Sequence, residues 1–321
     1  MNKKLLKKLV YFFIKKTGVL PLLIRAKSVP RILMYHRLGK SDLFPCISPD
    51  AFEQHLQYLN KYYAVMPLSE FLIHAKTGKL ASNAIALTFD DGYDDFYKLA
   101  WPLLKKYKVP ASLYITTQFV DKKISLWPDT LRTQLLSTAL SETIIDDVGY
   151  LNLSRSNYLK NWNLIGDYCL SLSQSKRNSF IKNLSKQLAV DIKDSPQPEF
   201  NSLSWDNLKE MVQQGLSVGS HTLTHPILTS LEQHELEVEL RESKQDIEDK
   251  LGINVPGFCY PNGMEADVSE DIERTINRVG YDYALIAFCP EKPFSNDFKM
   301  GRIAALEEMS EFTFSLMSME K

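Results

Sequence analysis

The sequence has no closely spaced cysteines. Cys46, Cys169, Cys259 and Cys289 lie far apart, without the short spacings of a zinc–thiolate site or a disulfide framework. Free thiols are expected, with a Cys259–Cys289 bridge as the alternative. Long apolar runs are missing too. The stretch from Leu9 to Ile14 is far too short to span a bilayer, and no small-residue cleavage site follows it. That pattern predicts neither an anchor nor a cleavable signal, and the cytoplasm or the cytoplasmic face of the membrane as the compartment. Residues 1–41 contain no Asp or Glu, against eleven Lys or Arg. The remainder holds 27 basic and 39 acidic residues. With the basic residues gathered at one end and no aromatic platform between them, nucleic acid is not an expected partner.

What the chain does have is an ordinary soluble composition, 44% hydrophobic and 24% charged. That allows one large core with insertions, or two domains. In residues 1–30, lysines alternate with apolar residues, and Leu5, Leu9 and Phe12 share a helical face. The segment reads equally as a basic amphipathic helix resting on an anionic membrane and as a helix packed on the domain.

From Arg31 a strand–helix rhythm sets in. Arg31–His36 reads as the first core strand. Ser48 caps a helix with Pro49 in its first turn and Phe52, Leu56 and Leu59 on one face. A short strand at Ala64–Met66 and a helix capped by Ser69 follow. Ile85–Phe89 is a buried strand, and Asp94 or Asp95 starts the next helix, with Tyr97, Trp101, Leu104 and Tyr107 on its face. Ala111–Thr116 is another strand. Between 121 and 200 the rhythm breaks. Helices are expected near Thr130–Leu140 and Lys176–Leu188, with an exit at Ser195-Pro196-Gln197-Pro198. The rhythm then returns. A helix capped by Ser204 precedes the strand Leu216–Gly219, and a long helix, Leu231–Leu251, precedes the strand Val255–Tyr260. A helix lined by Val268, Ile272, Ile276 and Val279 precedes the strand Tyr283–Phe288, and Arg302–Ala304 is the last strand. The fold class is therefore α/β, a distorted barrel of seven or eight strand–helix units. Residues 31–120 and 201–321 form the barrel, with a helical insertion at 121–200.

In such a fold, chemistry gathers at the C-terminal strand ends. Asp90 and Asp91 stand at one of them, before Gly92. Two adjacent carboxylates at a strand mouth repel each other and lose solvation, which a metal ion would offset. Asp-Asp-Gly is also ordinary turn chemistry. His221 and His225 follow another strand, and in a helical turn that spacing would put both rings on one side. Two imidazoles and one carboxylate make the donor set of a catalytic site with a position left for water. One aspartate would then be a ligand and the other a general base. His36 ends the first strand, and a packed, hydrogen-bonded role is the favoured reading for it.

Thr88-Phe89-Asp90-Asp91-Gly92 together with Ser220-His221-Thr222 and His225-Pro226 resembles the polysaccharide deacetylases, carbohydrate esterase family four. Met34-Tyr35-His36-Arg37 and Tyr260-Pro261 with Gly263 are similar to the branch acting on poly-N-acetylglucosamine. The resemblance covers about residues 31–120 and 200–306. It implies a metal-dependent hydrolase that removes the acetyl group from an N-acetylated amino sugar in a glycan or lipid-linked glycan. It makes Asp90 the base and Asp91, His221 and His225 the ligands of one divalent ion, with zinc the first choice and cobalt, nickel or iron suitable. Asn262 stands where the family's backbone oxyanion donor lies, and Tyr93, Tyr260 and Pro261 where substrate is met.

Two features of the family pattern are missing. Cys259 occupies the place of the arginine that orients the base, and Arg302 is the candidate substitute. No late acid histidine exists either: after His225 only His234 remains, on a polar helix face. Asp90 or His36 must then supply the proton. The alternatives are a deformylase of a lipid-linked amino sugar and a glycan-binding protein that has lost turnover.

Overall fold

A computed structural model describes residues 3–191 and 198–317. Two helices come first, α1 (Lys3–Thr17) and α2 (Leu20–Lys27), followed by β1 (Arg31–Tyr35), α3 (Pro49–Tyr62), β2 (Ala64–Val65), α4 (Leu68–Lys76) and β3 (Ala84–Phe89). Next are α5 (Trp101–Tyr107), β4 (Ser112–Ile115), α6 (Thr117–Val120) and α7 (Trp127–Ser137). A hairpin, β5 (Glu142–Ile145) and β6 (Gly149–Asn152), leads to α8 (Tyr158–Ser171), α9 (Gln174–Gln187) and α10 (Trp205–Gln213). The chain then runs through β7 (Ser217–Ser220), α11 (Gln233–Leu251), β8 (Gly257–Cys259), α12 (Glu270–Val279), β9 (Tyr283–Leu285), β10 (Ile303–Ala304) and α13 (Met309–Ser315).

The main sheet is parallel throughout, in the order β10-β1-β3-β4-β7-β8-β9, with β2 added on β3. A parallel bridge from Leu285 to Met300 carries the chain back from β9 toward β10. The result is the curled parallel barrel that the strand–helix rhythm implies. All six residues of β3 are buried, as a central parallel strand covered on both faces requires. Helices take their ends from local chemistry. The Ser48, Ser204 and Ser269 hydroxyls each accept a first-turn N–H, and Gly252 and Gly280 end α11 and α12 with positive φ.

Several expectations are corrected. Ser69 does not cap α4, because the helix starts at Leu68 directly after the extended Pro67, which leaves Ser69 inside the first turn. The helix after β3 does start at Asp94 and Asp95, as expected, but it passes at once into a π turn, Phe96–Ala100, and the Asp95 side chain makes no capping hydrogen bond. The Asp95 carboxylate is drawn instead to Arg37. The 121–200 segment is not wholly helical. It contains α8 and an antiparallel hairpin whose turn places Asp147 and Gly149 at positive φ. Leu131, Ile145, Leu151, Ile165, Cys169 and Leu184 give it a core of its own. Of the expected exit Ser195–Pro198, only Pro198 lies within the described residues. The Cys259–Cys289 bridge does not form, since all four cysteines are free.

At the N-terminus, α1 packs Tyr11 and Ile14 against the core and α2 buries Leu20 and Ile24. Leu9, Phe12 and Phe13 of α1 face outward. Among the described residues, no helix is long and apolar enough to cross a membrane.

Candidate metal and catalytic site

The site is built from two loops at the C-terminal end of the sheet. After β3, the Asp90 N–H donates to the Tyr35 carbonyl, 3.1 Å away. Asp91 turns into the left-handed region (φ 74°) and Gly92 follows at φ 94°. A side chain at Gly92 would also meet Ile115 Cγ2 at 3.2 Å, so the turn needs glycine on both counts. Hydrogen bonds from Thr116 and Leu203 to the Asp91 and Gly92 carbonyls hold the loop.

After β7, the expected helical turn from His221 to His225 is absent. The chain there is a loop with Thr222 (φ 70°) and His225 (φ 63°) in the left-handed region. What holds it is Glu239 of α11. Its buried carboxylate accepts from the Leu223 and Thr224 N–H groups, each 2.9 Å away, and from the Thr224 hydroxyl. Glu239 was not singled out from the sequence. Its signal was a charged residue one turn beyond Leu236, on the face that α11 buries.

These loops bring Asp91, His221 and His225 together. Asp91 Oδ1 lies 3.4 Å from Nε2 of each imidazole. That is long for an N–H···O bond, which runs about 2.7–3.2 Å, and Oδ1 is buried without a hydrogen-bond partner. Donor atoms about 2.0–2.1 Å from a tetrahedral ion lie about 3.3–3.4 Å apart, so the trio fits one. His221 Nδ1 faces the Cys259 carbonyl at 2.8 Å, which turns Nε2 toward Asp91.

Asp90, His221 and Cys259 also lie within ligand range of one another. That grouping suits a cation poorly, because Arg302 already binds Asp90 and places Nη2 3.0 Å from the Cys259 sulfur.

Asp90 is 2% exposed and accepts Arg302 Nη1 at 2.8 Å on Oδ1 and Nη2 at 2.7 Å on Oδ2. Arg302 is not part of the last strand, although the sequence predicts it there. It precedes β10, and its side chain rises inside the barrel past Thr88, whose hydroxyl it also meets. Burial pushes the Asp90 carboxyl up, but the guanidinium outweighs it and holds the group below the ordinary carboxylate value. Asp91 is likewise buried, and the two imidazoles facing it keep it well below that value. Burial lowers both histidines. For His225 it prevails, whereas for His221 the buried acidic groups at Cys259, Asp91 and Asp90 outweigh it and the pKa rises well above the usual value.

The remaining expected residues line one cavity of about 720 Å³. His36 is not a packed residue. Its side chain is 44% exposed, with Nε2 3.7 Å from Asp90 Oδ2. His36, His221 and His225 are the cavity's histidines, and His234 faces solvent. Asn262 sits at positive φ with its amide clamped to Asp267, and among the described residues no backbone carbonyl takes up its N–H. Tyr260 and Pro261 line the wall beside it, and the Tyr260 hydroxyl is spent on the Phe298 carbonyl. The Tyr93 hydroxyl is spent as well, on Asp129 of α7.

Asp129 also accepts Arg132 at 3.0 Å. The Arg37 guanidinium lies 3.8 Å from the centre of the Tyr93 ring and donates to Asp95 at 2.6 Å. The insertion is thereby tied to the Asp91 loop and supplies Leu126, Trp127, Trp162 and Leu170 to the cavity wall. None of these contacts was read from the sequence, since they join residues far apart in the chain.

The polysaccharide deacetylase family profile matches residues 77–284. Poly-β-1,6-N-acetyl-D-glucosamine N-deacetylase of Staphylococcus aureus is 27% identical over 184 residues, 54% of this chain and 60% of that protein. YxkH of Bacillus subtilis is 21% identical over 256 residues, 79% of this chain and 63% of that one. The chain thus spans about six-tenths of the length of these curated relatives. Among solved structures, Streptococcus pyogenes deacetylase PplD in complex with acetate aligns with a TM-score of 0.60 at 20% identity, covering 91% of this chain and 98% of that one. IcaB from Ammonifex degensii aligns with a TM-score of 0.58 at 19% identity, covering 90% and 97%. At that identity the two structures speak for the fold.

Proposed function

The chain belongs to the polysaccharide deacetylase family, and from that premise we propose that it hydrolyses the N-acetyl group of an amino sugar within a glycan. The observation that carries this is the pairing of two differently held neighbours. Asp91 faces two imidazole nitrogens at 3.4 Å, while Asp90, beside it, is held by Arg302. Asp91, His221 and His225 would hold the ion, with zinc first by donor type. When bound, the ion supplies Lewis acidity toward the acyl oxygen and lowers the pKa of its water.

The chain's own residues supply the rest. Asp90 stays ionised and takes the attacking water's proton. Arg302 fixes its plane through both oxygens and leaves their other lone pairs toward the cavity. The Asn262 N–H stands ready to donate to the acyl oxygen as it becomes negative. His36, the cavity histidine outside the ligand trio, would return a proton to the departing amine, a role supported by its position in the cavity 3.7 Å from Asp90. The test is acetate release from N-acetylglucosamine oligomers. It should be lost with chelator, restored by Zn²⁺ or Co²⁺, and abolished in Asp90→Asn. A metal-replete protein inert across a panel of N-acyl sugars would sink the reading.

A second reading keeps the chemistry and changes the substrate to a lipid-linked amino sugar carrying an acetyl or formyl group. The composition of the cavity favours it, because Phe44, Leu126, Trp127, Trp162, Met264 and Leu306 give it largely apolar walls. Faster release from a polyprenyl-linked donor than from a free oligosaccharide would select it, and formyl against acetyl donors would fix the acyl group.

A further inference from the structure

The outward face of α1 is unusual for a helix packed on a domain. Leu9, Phe12 and Phe13, at helical spacing i, i+3 and i+4, are 54%, 62% and 69% exposed. Leu22 of α2 is 68% exposed. Single exposed apolar residues are commonplace, but neighbouring ones on one helix face need a partner. The charge on this segment says which kind. Residues 1–41 carry eleven Lys or Arg and no acid. Lys16 lies over the Phe12 ring, 5.3 Å from its centre, so cation and apolar surface share one face. Aromatic side chains beside lysines on a short helix match the boundary between anionic headgroups and acyl chains.

The placement of α1 adds a consequence. Partway along α1, Lys8 pairs with Glu308 at 2.9 Å, next to Leu306 and Glu307 of the cavity wall. Further on, the chain passes through α2 to Ser28, which pairs with Met317 just before β1 begins. The helix is therefore tied to the chain segment that lines the rim carrying the site.

We infer that α1 docks on an anionic lipid surface through Leu9, Phe12 and Phe13, and that this holds the cavity rim at the leaflet. A glycan carried on a lipid would then enter past Glu307 without leaving the membrane. That last step rests on the hydrolase reading, whereas the docking does not.

The test is co-sedimentation of the full chain with two kinds of vesicle, phosphatidylcholine alone and phosphatidylcholine with about one-third phosphatidylglycerol. Binding should require the anionic lipid, and should fall about tenfold in Phe12→Ser/Phe13→Ser and again at about 0.5 M salt. The variant should keep the wild-type melting temperature and the wild-type acetate release from soluble oligomers. Absence of binding, or equal binding by variant and wild type, overturns the inference. So does a dimer in sedimentation velocity that the variant dissociates while vesicles stay unbound, since the face then belongs to a second copy. An inert protein that still pellets with anionic vesicles upholds the docking and overturns the leaflet supply.

Discussion

Arg302 and Asp90 lie 212 positions apart and make the most consequential contact in the site. A buried carboxylate without a cation would be pushed up toward neutrality, whereas a bidentate guanidinium reverses that. The sign follows for pH. The proposed base must be ionised to work, and the Asp90 pKa lies below the ordinary value while Arg302 is present. In Arg302→Met burial is unopposed, the pKa rises, and the acid limb of kcat/KM should move up by about one to three pH units. Arg302→Lys restores charge without the two-pronged geometry and should fall between. An acid limb unmoved in Arg302→Met would mean that Asp90 is not the titrating base. His36 gives a second residue-scale prediction. His36→Gln should lower kcat by about 10²-fold, the ordinary worth of a positioned proton donor, with metal content unchanged. Near-wild-type turnover would return the proton step to Asp90 alone.

Among the elements, the loop after β7 shows how a long helix serves a short motif. Three donors from Leu223 and Thr224 converge on Glu239 of α11. This fixes a backbone that passes twice through the left-handed region, where non-glycine residues pay about 1–3 kcal/mol each. Glu239→Ala leaves these donors unmet and frees the loop. Metal affinity, measured by competition with a chelator, should weaken about 10–100-fold, as for other residues that orient ligands. Unchanged affinity would show that β7 and the hydrogen bond from the His221 N–H to the Ile115 carbonyl, 2.9 Å long, suffice to hold His221. The insertion is the other element of interest. Its hairpin went unread because each strand has only four residues, and one of the isoleucines, Ile144, is 72% exposed. The turn residues Asp147 and Gly149 were its available signal.

At the scale of the whole molecule, the three side chains proposed as ligands stand on two loops that follow strands β3 and β7, which are not adjacent in the sheet. An ion bound there links the barrel across β4. Saturation at about a thousand times the dissociation constant adds about 4 kcal/mol to folding. Zinc-loaded protein should therefore melt several degrees above the chelated form, and Asp91→Asn should lose that increment. Equal melting temperatures with and without zinc would argue that the trio holds no ion.

Much of this could be read from the sequence alone. Hydrophobic period marked the helices and strands of the barrel, and Ser48 and Ser204 marked two helix starts, because both are local effects of side-chain pattern on backbone. The paired aspartates and spaced histidines were legible as donors, because carboxylates and imidazoles in that combination suit few other purposes. Tertiary structure alone decided the rest. It chose a loop over a helical turn for His221–His225, exposed His36 to the cavity, and brought Arg302 up through the barrel to Asp90. It turned Tyr93 toward Asp129 and left Phe12 and Phe13 facing outward. Each of these depends on contacts between residues distant in the chain, and their energies have no signature in any local window of sequence.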